Sequence, residues 1–106
     1  YLHLAAVFAC NFSNHMYTVA TQIMHEGGLS FDLLKPMIEE TAAKAVAASS
    51  PITVQTGPAA RGDREVIEQQ IALQESDGRE SAKKFIERYK LISESIWETL
   101  RKTSQE

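Results

Sequence analysis

Residues 3–28 read HLAAVFACNFSNHMYTVATQIMHEGG, and how this stretch folds decides the architecture. Placed at 100° per residue, Ala5, Phe8, Ala9, Phe12, Met16, Val19 and Ile23 fall on one face. That is an apolar stripe at helical period. Gly27-Gly28 then supplies the usual C-terminal punctuation. The spacing predicts one helix over 3–26, about 36 Å long at 1.5 Å per residue. Its opposite face carries His3, Val7, Cys10, Asn11, Asn14, Thr18, Thr21 and His25, and no charged side chain precedes Glu26.

Further helices follow outward from this one. A second is expected over 31–49, with Ser30 or Asp32 as N-cap and Leu33, Leu34, Met37, Ile38, Ala42 and Ala45 on its apolar side. Pro36 lies near enough to the start to be tolerated, and Ser49-Ser50-Pro51 ends the helix. Residues 50–62 read as the one real loop, and within it Ile52-Thr53-Val54 is the only stretch resembling a strand. A third helix starts at Asp63, a good N-cap, and runs to about Gln74 through Val66, Ile67 and Ile71. Asp77-Gly78 breaks the chain, and Asp77 with Glu80 has capping-box spacing. The last helix, about 79–103, aligns Ala82, Phe85, Ile86, Tyr89, Ile92, Ile96 and Leu100, with Trp97 at the stripe's edge. The expected fold class is all-α with four main helices.

The 106 residues suit one domain with a modest core, hiding roughly 65% of its unfolded surface. With 43% hydrophobic and 24% charged residues the chain has globular rather than disordered composition. A net charge of −3 argues against a general electrostatic grip on nucleic acid. Only Glu26, Asp32, Lys35, Glu39, Glu40 and Lys44 are charged within residues 1–60, so the N-terminal half is depleted of charge. A membrane span is opposed by His3, Asn11, Ser13, Asn14, His15, Thr18, Thr21 and Gln22, each costly in lipid. The start lacks the basic n-region and cleavage site of a secretory signal. It begins at Tyr1 inside an apolar stretch, as expected of a segment of a longer protein, although processing would leave the same trace. Cys10, the only cysteine, allows no intramolecular disulfide and makes a reducing cytoplasm the default.

The first helix is unusual in its polar side. A solvated helix face normally carries Lys, Glu and Arg. This one carries amides, hydroxyls, imidazoles and a thiol, groups that hydrogen-bond without the desolvation cost of full charge. Either the face lines a cleft or subunit contact, or the helix is central and wrapped by its own domain. The histidines do not have metal-ligand spacing: His25-Glu26 lacks the second histidine of H-E-x-x-H, and His3 and His25 lie about 33 Å apart along the axis. Cys10 is too far from His3 for a nucleophile–base pair and reads as a buried structural cysteine.

Thr56-Gly57-Pro58-Ala59-Ala60-Arg61-Gly62-Asp63 is the densest local signal. Two glycines and a proline impose an unusual backbone path, and Arg61 offers a planar fork for a carboxylate or phosphate. The competing reading is a rigid connection with Arg61 paired to a nearby acid. The segment is neither a Walker loop nor a dinucleotide fingerprint, because no G-K-[ST] occurs and no strand precedes it. Arg61-Gly62-Asp63 as an integrin motif is discounted, since three residues recur by chance.

The run His3 to Phe12, HLAAVFACNF, together with the T-G-P-x-x-R-x-D loop over 56–63, resembles the helical domain of unknown function that follows a Rossmann-like NADP-binding domain in pyrroline-5-carboxylate-reductase-like proteins. The likeness covers essentially the whole chain; Cys10, where a small hydroxyl residue often precedes the asparagine, is a mild departure. It implies a fold like the C-terminal domain of 6-phosphogluconate dehydrogenase, which dimerises and closes a substrate cleft against its Rossmann domain. By that resemblance His3, Asn11, Thr56, Gly57, Pro58, Arg61 and Asp63 face the cleft. His3 or Asn11 would donate a hydrogen bond or proton to a substrate carbonyl or imine, and Arg61 would pair with a substrate carboxylate. The implied partners are the chain's own N-terminal Rossmann domain, a twin subunit and a small-molecule substrate, with no nucleic acid or membrane. NADP is implied for the parent protein only; without a βαβ unit this chain is expected neither to bind it nor to turn over substrate alone. The alternatives are a stand-alone helical oligomerisation module and, disfavoured by the uncharged first helix, a small all-α enzyme.

Overall fold

The computed structural model describes residues 1–76 and 78–105. They fall into two units, Tyr1–Lys44 and Ala45–Glu106. All regular elements among the described residues are helical, so the all-α class holds. In order, these are α1 (Leu2–Ala6), a π-helical segment (Val7–Phe12), α2 (Ser13–Glu26), a 3₁₀ turn (Phe31–Leu34), α3 (Lys35–Ala47), a second 3₁₀ turn (Pro51–Val54), α4 (Pro58–Arg61), α5 (Arg64–Glu75) and α6 (Glu80–Gln105).

In the first unit, α1, the π segment and α2 form the long continuous helix expected from the sequence. Its end is a Schellman motif: Gly28 takes φ 70°, its N–H donates to the His25 carbonyl, and the Leu29 N–H donates to the Met24 carbonyl. Ser30 is the N-cap of the next element, accepting from the Asp32 N–H at 3.1 Å. That element starts as a 3₁₀ turn packed on α2 before widening into α3.

Residues 50–62, expected to be loop, contain two helical turns in the second unit. Ile52-Thr53-Val54 lies in a 3₁₀ turn rather than a strand. Pro51 at its first position presets a helical φ, and the Thr53 hydroxyl donates to the Ser50 carbonyl at 2.7 Å. Residues 58–61 form the single turn α4, which packs against both α5 and α6. Asp63 caps α5 as expected, its Oδ1 accepting from the Val66 N–H at 3.2 Å. The expected cap at Asp77 lies outside the described residues. Helices α5 and α6 pack together, joined by a hydrogen bond from the Tyr89 hydroxyl to Gln70 Oε1. Only Ala59 (7% exposed) and Ala82 (3%) among the described residues are buried.

Candidate functional site

The first helix departs from the expected register. A π turn advances about 4.4 residues instead of 3.6, so Val7–Phe12 acts like an α-helix with about one inserted residue. Residues four apart drift forward by about 40° per step in an α-helix and back by about 30° within the π turn, so across both the offsets nearly cancel. Phe8 and Phe12, four apart within the segment, meet edge-to-face with ring centroids 4.9 Å apart. By the same geometry His3, Val7, Asn11 and His15 form a neighbouring row. The twelve residues from His3 to His15 count as about eleven, or three turns. The π segment thus brings the two expected residues, His3 and Asn11, onto one line and adds His15, which reading at 100° per residue had missed. The i, i+4 spacing of Asn11 and His15, with His3 eight residues before Asn11, was the available signal, but nothing in side-chain type announces a π turn.

Both rows face outward in this chain. Phe8 is 64% exposed and Phe12 49%, and His3, Asn11 and His15 are also exposed. No residue of the long helix is buried. Cys10 is exposed as well, which corrects the expectation of a buried structural cysteine. Among the described residues no cluster of His, Cys, Asp and Glu could hold a metal ion.

The loop residues gather in the second unit. Gly57 has φ 103°, a conformation that strains residues with a Cβ, and Pro58 follows as the first residue of α4. Gly62, at φ 65°, closes α4 with a second Schellman motif: its N–H donates to the Ala59 carbonyl, and the Asp63 N–H donates to the Pro58 carbonyl at 2.9 Å. Asp63 ends one helix through its backbone and opens the next through its side chain. Its other carboxylate oxygen lies 3.9 Å from Arg61 Nη2. The acid expected beside Arg61 is therefore Asp63, but the contact is long and the arginine is 60% exposed. A loose, solvated pair of this kind is weak and leaves the fork able to take another carboxylate. Thr56 is exposed at the loop's start, where Gln55 Nε2 donates to its carbonyl at 3.0 Å. His3 and Asn11 belong to one unit, and Thr56, Gly57, Pro58, Arg61 and Asp63 to the other.

Elsewhere, Lys35 bonds Asp32 at 2.7 Å, and its hydrogen bond and charge hold the carboxyl below its usual range while the lysine rises. Burial raises the Tyr89 phenol above its ordinary value. No helix among the described residues is long and apolar enough to cross a membrane.

No curated protein matches the sequence. A solved structure from Bacteroides fragilis, described as a "putative NADP oxidoreductase", is similar to it at 43% identity with a TM-score of 0.81. The similarity covers 92% of this chain but only 35% of that one, so the chain spans about a third of that protein. Residues 1–96 match the family described as Domain of unknown function (DUF2520), and the chain belongs to that family.

Proposed function

We propose that this chain is the helical dimerisation and substrate-cleft domain of an NADP-dependent oxidoreductase built like the pyrroline-5-carboxylate reductases. In this reading a Rossmann domain precedes it. The carrying observation is the long first helix, which exposes an uncharged polar row and an aromatic row side by side. Aromatic and uncharged polar groups suit the interior of a dimer contact.

The described residues contain no strand, hence no strand-to-helix glycine turn for a pyrophosphate. In this reading the cofactor is held by the preceding domain. The chain's own part is recognition. Asn11 and His3 would hydrogen-bond a carbonyl or imine at the substrate end of the cleft, with His15 next in the row. Arg61, backed by Asp63, would take a carboxylate, and Gly57 and Pro58 would hold Thr56 beside it.

The test is made on the intact protein, with and without its first domain. NADPH binding should require that domain, whereas Asn11→Ala and Arg61→Ala should leave NADPH affinity within about twofold. Reduction of a cyclic imino or keto carboxylate should fall by about 100-fold in Arg61→Ala, about the loss of a charge-assisted hydrogen bond, and by about tenfold in Asn11→Ala, about that of a neutral one. NADPH binding by residues 1–106 alone, or full activity in both variants, would contradict the reading.

A further inference from the structure

The second unit holds a pocket that the proposed cleft does not use. It arises from the contact of Gly62 with Trp97, where a Cβ built on the glycine would lie 3.0 Å from the indole Cζ3. The absence of that carbon lets the indole close against the backbone at the end of α4. Trp97 nevertheless remains 43% exposed. Its open part walls a pocket of about 280 Å³, with Ala59 and Ile67 completing the apolar lining. Arg64, Lys90, Ser93 and Glu94 supply the polar lining. None of His3, Asn11, Thr56, Gly57, Pro58, Arg61 and Asp63 lines it.

Charge and size narrow the occupant. Among the described residues neither Arg64 nor Lys90 forms an ion pair, with Glu94 or with any other acid. Two unpaired cations beside an exposed aromatic wall form a receptor for an anion with a flat or compact apolar body. Glu94 leaves the lining with one net positive charge and opposes a dianion such as phosphate. The volume falls just below the roughly 300–1,000 Å³ of drug-sized sites, so the occupant is small.

We infer that this pocket binds a small apolar monocarboxylate, with Arg64 and Lys90 on the carboxylate and the Trp97 indole against the apolar body. The site is separate from the cleft but shares the turn Pro58–Arg61 with it. An occupant would brace Trp97 against Gly62, and through that turn would steady Arg61.

Trp97 is the chain's only tryptophan, so 5-fluorotryptophan gives one ¹⁹F resonance that reports the pocket directly. Residues 1–106 are titrated with benzoate, with benzamide as the neutral isostere, and with inorganic phosphate. Benzoate should shift the resonance saturably with Kd on the order of 1 mM, as for a small fragment. Benzamide and phosphate should bind at least tenfold more weakly. Arg64→Gln with Lys90→Gln should weaken benzoate about tenfold or more at unchanged far-UV circular dichroism. Lys90→Gln alone, at an exposed position of α6, serves the same comparison if the pair loses helicity. Arg61→Ala should leave benzoate binding intact, which separates this site from the cleft. No saturable shift at tens of millimolar, equal binding of benzamide or phosphate, or unchanged affinity in the Arg64 and Lys90 variants would each overturn the inference.

Discussion

Gly62 carries two constraints at once, a left-handed backbone and an aromatic ring where a side chain would begin. Gly28 carries only the first, with open space around it. The left-handed penalty alone is about 1–2 kcal/mol, so Gly28→Ala should lower stability by about that much. Gly62→Ala should cost more, about 2–4 kcal/mol once Trp97 is displaced, and should also change the tryptophan emission. Thermal melts by circular dichroism measure both, and equal losses would refute the role given to Trp97. Tyr89 is legible in another way. Burial favours its neutral phenol, so its folded pKa lies above the unfolded one. That contribution is complete below the unfolded value near 10 and is lost as pH rises through the folded one. Ultraviolet titration should show a phenolate transition above the ordinary range, and Tyr89→Phe should remove it.

At the scale of elements, helix ends were legible because caps are local chemistry. Gly27-Gly28, Ser30 and Asp63 each act through partners within a few residues, so their sequence reading carried over. Asp63→Ala removes the α5 cap and should cost about 1 kcal/mol, read as a lower melting midpoint. The π segment was not legible, because no residue type within Val7–Phe12 announces the wider hydrogen-bonding step. It also has the larger consequence, since it reorients the candidate row. Deleting Ala9 should remove the inserted residue and return Val7–Phe12 to α-helix while leaving the direction of Asn11 relative to His3 nearly unchanged. Far-UV circular dichroism should stay helical, and the intact protein should keep the activity that Asn11→Ala removes.

At the scale of the molecule, Phe8, Phe12 and Ile23 on the apolar stripe of the first helix are all exposed. Under the proposed assembly a second copy covers that stripe, and sedimentation should give a dimer at tens of micromolar. A monomer at every concentration would refute the homodimer. The sequence by itself determined the all-helical class and most helix ends, because helical period and capping depend on neighbours a few residues away. It also displayed the residues of the candidate site, as an uncharged helix face and a glycine–proline loop. Only the tertiary structure decided which of those residues line up, that Cys10 faces outward, and that Trp97 closes on Gly62. Those outcomes depend on backbone register and on packing between residues far apart in the chain, where no local pattern specifies the partner.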